Sequence, residues 1–204
     1  MKDGTVREAL LGCATPEHYL QQAAFLGASV GRYANRIAKS QFTLGEQTYA
    51  LTPSQGENQL HGGPEGFDKR RWQIERQNDS DALFTLTSPD GDQGYPGNAS
   101  VSALYRLSDD NRLTIEYRAT TDKACPVNLT NHAYFNLDGE QSDVRNHTLQ
   151  LLADEYLPVD EMGIPVGALK KVALTSFDFR QPKTTAQEFL NDAAQRAVQG
   201  YDHA

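Results

Sequence analysis

His132 sits in a stretch crowded with hydrogen-bonding groups, Pro126-Val-Asn-Leu-Thr-Asn-His-Ala-Tyr-Phe-Asn-Leu137. An imidazole titrates near neutrality and can give or take a proton in a reaction. Around it, Asn128, Thr130, Asn131, Tyr134 and Asn136 both donate and accept hydrogen bonds. Alternation places Val127, Leu129, Asn131, Ala133 and Phe135 on one side of a strand. Asn128, Thr130, His132 and Tyr134 fall on the other. Neutral hydrogen-bonding groups with aromatic rings and arginine suit a polyhydroxylated ligand, which offers many polar sites and an apolar ring face.

Other residues of this kind lie in turns and at strand ends. Arg32, Asn35 and Arg36 follow a glycine pair, Gly27 and Gly31, whose spacing is not that of a phosphate-binding loop. The arginines suit hydroxyl or carboxylate contact, or one of them makes a structural ion pair. His61 adjoins Gly62 and Gly63 and is either a site histidine on a loop or a turn histidine. Asp202 completes the set, near the end of Gly200-Tyr-Asp-His-Ala204. The five histidines form no His-x-His or His-x-x-x-His pair, so a metal site is not expected. No serine-hydrolase elbow or cysteine nucleophile signature is read in the chain, and Cys13 and Cys125 are taken as free thiols.

The elements that must position these groups are mostly strands. Phe42 to Leu51 forms a hairpin around Gly45-Glu46-Gln47. Trp72 to Gln77 and Ala82 to Ser88 form a second around Asn78-Asp79-Ser80. Val101–Leu107 and Leu113–Ala119 are long strands, and 147–153 and 155–159 continue the pattern. A short helix is expected after Pro16. A longer one is expected from the capping-box pattern Thr185-Ala-Gln-Glu188 to Gly200. Short strands with turn-rich links argue for an all-β antiparallel sandwich or barrel, read as one domain over 1–204.

Composition narrows the partners. The formal net charge is −8, which disfavours a nucleic-acid surface. Lys69-Arg70-Arg71 is read as a solvated strand entry. No apolar run is long enough to span a bilayer and no secretory pattern opens the chain, so a cytoplasmic location is expected.

Four motifs, in order, carry a resemblance. Gly-Arg-Tyr-Ala-Asn-Arg-Ile (31–37), Leu-His-Gly-Gly (60–63) with Gly-Phe-Asp-Lys (66–69), Asn-His-Ala-Tyr-Phe-Asn-Leu (131–137) and Gly-Tyr-Asp-His (200–203) resemble the galactose mutarotases, or aldose 1-epimerases, of bacterial type. The resemblance implies a large antiparallel β-sandwich of the galactose mutarotase supersandwich type, with a few short helices. It implies interconversion of the α and β anomers of galactose and glucose without metal or organic cofactor. His132 would be the acid that protonates the sugar ring oxygen. Asn35, Arg36, His61 and Asp202 would bind sugar hydroxyls, with Arg36 and His61 near the reacting end.

The family's base is a glutamate in its C-terminal part, and Glu155, Glu161 and Glu188 do not match that motif. Family members also begin earlier and continue past Gly-Tyr-Asp-His. The chain is therefore expected to be an incomplete sandwich that does not turn over sugar alone. The alternatives are a hexose 6-phosphate mutarotase and a non-catalytic sugar-binding sandwich.

Overall fold

The structure, a computed structural model, describes residues 6–139, 142–191, 193–197 and 200–201. The chain divides into two compact units, Gly12–Ala133 and Met1–Leu11 with Tyr134–Ala204. Strands dominate the first, and the strands of the second are only two residues long.

The first unit opens with a short helix, α1 (Pro16–Gln21), started by a proline whose missing N–H would have been unpaired there in any case. Five short strands follow: β1 (Ser29–Val30), β2 (Arg36–Ile37), β3 (Gln41–Leu44), β4 (Gln47–Ala50) and β5 (Gln59–Leu60). β3 and β4 form the expected hairpin, with Leu44 opposite Gln47 across the Gly45-Glu46 turn. β2 pairs with β5, so Arg36 faces Leu60, the residue before His61.

Next comes a four-stranded antiparallel meander of β6 (Gln73–Gln77), β7 (Asp81–Ser88), β8 (Ala99–Leu107) and β9 (Leu113–Thr121). Its register sets Phe84 against Ala103, Leu86 against Val101, and Val101 against Ala119. One face is therefore apolar, and Ala99, Val101 and Phe67 bury there with Trp72, Leu86, Ala119 and Leu129 packed around them. The opposite face carries Thr85, Thr87, Ser100, Ser102, Arg118 and Thr120. This is the one-face-wet alternation of an antiparallel sheet.

The stretch around His132 is not one continuous strand. Only β10 (Thr130–Asn131) is regular, and it pairs with β1. Asn128 instead bridges in parallel to Tyr33. Past Ala133 the chain pairs with Ala9–Leu11 within the second unit, through a Leu10–Phe135 bridge and the Asn136 N–H to the Ala9 carbonyl at 2.9 Å. The extended stretch has a succession of partners, and alternation cannot foretell where one hands over to the next.

In the second unit the strands are short: β11 (Thr148–Leu149), β12 (Glu155–Tyr156), β13 (Lys170–Lys171) and β14 (Lys183–Thr184), paired β11–β14 and β12–β13. Val172, Phe177 and Phe179 are buried, and Tyr156 stacks on Phe177 with centroids 4.7 Å apart. The long helix expected from Thr185 is replaced by a 3-10 turn (Thr185–Glu188) and a short α2 (Ala193–Ala197). The capping box fails because its members are engaged elsewhere. Lys183 Nζ donates to Glu188 Oε2 at 2.6 Å, and Thr185 Oγ1 donates to the Val144 carbonyl at 3.0 Å. Among the described residues no helix is long and apolar enough to cross a membrane.

Candidate functional site

Four of the five residues singled out in the sequence fall together in the first unit. The fifth, Asp202, lies outside the described residues.

His132 directly follows β10. Its N–H donates to the Ala28 carbonyl at 2.9 Å, and its carbonyl accepts the Gly27 N–H at 3.1 Å. Both main-chain groups are thus tied to the segment leading into β1. The His132 ring lies 5.2 Å from the His61 ring, the two planes at 89°.

His61 is held by a reciprocal pair of bonds with Asn35. The His61 N–H donates to the Asn35 carbonyl at 3.0 Å, and the Asn35 N–H donates to His61 Nδ1 at 3.0 Å. Both residues have left-handed backbones, φ 65° at Asn35 and 53° at His61. Asparagine is among the residues that best tolerate this. An accepting Nδ1 carries no proton, so the neutral ring bears its N–H at Nε2. His61 therefore offers a donor to whatever lies against its far edge.

Arg36 is oriented from behind. Its Nε donates to Gln55 Oε1 at 2.7 Å, and its Nη1 reaches Asn35 Oδ1 at 3.3 Å. It also borders a cavity of about 650 Å³ with Tyr33, Phe42, Cys125 and Pro126. The other arginine of the motif plays a different part. Arg32 is 2% exposed, and its guanidinium donates to the carbonyls of Ser88, Pro89, Pro96 and Gly97 and to Ser88 Oγ. The two arginines could not be told apart by type and spacing. The fold makes Arg32 a structural brace, held by carbonyls rather than by an ion pair, and leaves Arg36 half-buried.

Two residues escaped the sequence reading. Phe25 packs its ring 4.6 Å from that of His61 and 5.7 Å from that of His132, forming an apolar wall to the histidine pair. Gln55 sets the direction of Arg36. Neither carries a signal in type or spacing.

A third feature was passed over. Gly27-Ala-Ser-Val-Gly31 does have the Gly-x-Ser-x-Gly spacing of a hydrolase elbow. That motif needs its serine exposed on a tight strand-to-helix turn. Ser29 instead lies within β1, its Oγ 2.8 Å from each of the Tyr105 and Tyr117 hydroxyls. Among the described residues no group of three or more His, Cys, Asp or Glu could hold a metal. Cys13 and Cys125 are free.

The glutamates named in the sequence belong to the second unit. Glu155 pairs with Lys171 at 2.9 Å and Glu188 with Lys183 at 2.6 Å, while Glu161 is exposed. The cluster in the first unit thus assembles hydrogen-bond donors around a titratable imidazole: an Nε2–H, a guanidinium, a carboxamide and an aromatic wall. That is equipment for holding hydroxyls and moving one proton.

The chain resembles known proteins along its whole length. A family model described as aldose 1-epimerase matches residues 1–204. The aldose 1-epimerase of Escherichia coli (strain K12) is 71% identical over 204 residues, covering 100% of this chain and 59% of the relative. That of Haemophilus influenzae is 54% identical over 202 residues, 98% of this chain and 58% of its own length. Among solved structures, galactose 1-epimerase from Lactobacillus acidophilus superposes with a TM-score of 0.88 at 36% identity, over 97% of this chain and 59% of that one. An aldose epimerase homologue from C. elegans gives 0.85 at 39% identity, over 90% of this chain and 56% of that one. The fold is thus the all-β sandwich of those proteins, and the chain spans about 59% of the length of the E. coli relative. Matched along its whole length by the family model, the chain belongs to the aldose 1-epimerase family.

Proposed function

We propose that this chain takes part in aldose 1-epimerisation, the interconversion of the α and β anomers of galactose and glucose, with His132 as the acid. The observation that carries the reading is the clustering of His132 with His61, Asn35 and Arg36, residues far apart in sequence, around two imidazoles 5.2 Å apart.

The chemistry follows from the substrate. Opening a hemiacetal removes the proton of the C1 hydroxyl, breaks the bond between C1 and the ring oxygen, and adds a proton to that oxygen. Rotation about the bond from C1 to C2, followed by closure, gives the other anomer. In this reading protonated His132 supplies the ring-oxygen proton. His61 Nε2–H, the Asn35 carboxamide and the Arg36 guanidinium hold hydroxyls. Each positioned acid or base contributes roughly 10²- to 10⁴-fold.

We further propose that residues 1–204 provide the acid and the sugar-binding side chains but not the base. Glu155 and Glu188 are held by lysines, and neither they nor Glu161 belong to the unit that carries His132. The chain alone then binds galactose without turnover, detected by calorimetry beside a polarimetric assay. Wild-type-like turnover by the 204 residues would refute this.

The acid role is tested in a chimera in which residues 1–204 replace the matching residues of the E. coli relative. Polarimetry on freshly dissolved α-galactose should show activity in the chimera and a loss of about 10²- to 10⁴-fold on His132→Ala. Unchanged activity in that variant would remove His132 from the mechanism.

A further inference from the structure

We propose that Ser29, Tyr105 and Tyr117 form a closed hydroxyl ring whose role is to position His132, an inference that rests on His132 being the acid. Three strands converge on this point. Ser29 lies on β1, Tyr105 on β8 and Tyr117 on β9. The Ser29 hydroxyl is 2.8 Å from each tyrosine oxygen, and the two tyrosine oxygens are 3.3 Å apart. Three hydroxyls have three protons, and the ring has three edges. Each hydroxyl can therefore donate once and accept once within the ring, so that every proton is used. Asn131 Nδ2 donates into the ring at the Tyr105 oxygen, 3.2 Å away.

The location gives the ring its purpose. β1 and β10 are only two residues long each and pair only with each other, Ser29 facing Asn131 and Val30 facing Thr130. Two-residue strands are weak elements by themselves. The ring and Asn131 tie both partners of this pair to the four-stranded sheet. The next ladder bonds along are those of His132 to Ala28 and Gly27. A slip of β1 against β10 would carry the imidazole away from His61. Burial pushes the Tyr117 hydroxyl up to about 12, so its proton remains in the ring throughout the neutral range. A core apolar residue such as Phe or Val at these positions would fill the space without fixing the register. Three oxygens in one ring fix it, because any slip leaves a half-buried donor unpaired.

The test uses Tyr117→Phe, which removes one oxygen and keeps the ring, and the pair Ser29→Ala and Ser29→Thr. Amide exchange is followed by NMR in the 204-residue chain, with the Phe84 and Leu86 amides of β7 as internal reference. Tyr117→Phe and Ser29→Ala should speed exchange at His132 and Gly27 about tenfold relative to the reference and move the His132 ring resonances. Ser29→Thr, which keeps a hydroxyl, should restore both. Exchange at His132 and Gly27 that follows the reference, or a Thr variant indistinguishable from Ala, overturns the proposal. If Tyr117→Phe does not fold, the Ser29 pair decides alone. In the chimera, Ser29→Ala should lower kcat about tenfold and leave KM within about twofold, whereas general destabilisation would spare both in the folded fraction. Unchanged activity of His132→Ala in the chimera refutes the acid reading, while the exchange data still decide the positioning role.

Discussion

Gly62 follows His61, and replacing it with alanine probes how tightly the site's backbone is packed. Its φ is +87°, and an added Cβ would lie 1.9 Å from the Gly31 carbonyl oxygen and 2.7 Å from the Arg32 nitrogen. Both are backbone atoms and cannot rotate away. Gly45, in the β3–β4 turn, has φ +62° and nothing within 4 Å of an added Cβ. Gly45→Ala therefore measures the conformational cost alone. The left-handed region costs an alanine about 1–2 kcal/mol, offset by the ~0.4–1 kcal/mol that a stiffer unfolded chain returns, for a net loss near 1 kcal/mol.

Gly62→Ala carries the same term and a collision. Relief requires Gly31 to shift by more than an ångström, and its carbonyl accepts the Phe67 N–H at 3.1 Å. Overpacking costs about 1–3 kcal/mol and a lost backbone hydrogen bond about 1 kcal/mol more. Gly62→Ala should thus be destabilising by about 3–5 kcal/mol, a large part of the 5–15 kcal/mol that typically holds a domain folded. Trp72 is the only tryptophan, packs against Phe67 with centroids 6.1 Å apart, and belongs to the same unit. Its fluorescence in urea titrations of wild type and the two variants reads the comparison directly. If Gly62→Ala lies within about 1 kcal/mol of Gly45→Ala, the collision is not real and the packing argument fails.

Arg32→Lys keeps the charge, but one ammonium cannot span the carbonyls of Ser88, Pro89, Pro96 and Gly97; a loss of about 2–4 kcal/mol in the same titration is expected, and wild-type stability would contradict the brace. Tyr117 has its hydroxyl raised by burial to about 12, against 10.0 for a free tyrosine. Its contribution to stability is complete below pH 10 and declines as pH rises towards about 12, so absorbance at ~295 nm should show an ionisation at about 12 that Tyr117→Phe removes. Arg180 holds the Asp178 carboxyl down at about 2, against 3.8 for a free aspartate. That contribution is present above pH 3.8 and lost as pH falls through about 2, a small effect because the pair is partly open to solvent. Asp178→Asn should flatten the acid limb of circular-dichroism unfolding, and an unchanged limb would show the pair to be inert.

The hairpins were legible because their signals are local. Gly45-Glu46 and Asn78-Asp79-Ser80 mark turns, and period-two alternation marks the flanking strands, so β3–β4 and β6–β7 fall where the pattern puts them. Residues 126–137 were harder, since the alternation in their sequence is not followed by their burial and their hydrogen-bond partners are set by distant segments. Arg32 and Arg36 differ in burial, a property of the folded chain that their shared motif conceals. The failed helix start at Thr185 has the same origin: Lys183 outcompetes the backbone for Glu188. Phe25 could not have been found, because its contact with both histidines exists only once β1 and β10 have paired.

The bond between the Asn35 N–H and His61 Nδ1 comes from the main chain, not from the Asn35 side chain. Orientation of the imidazole therefore does not depend on the Asn35 side chain, which the proposed function assigns to hydroxyl binding. The carboxamide can be exchanged for another group that accepts a left-handed backbone, such as aspartate or glycine, without turning the ring of His61. Under the proposed function, position 35 is thus a place where hydroxyl preference can be retuned while the histidine pair keeps its alignment.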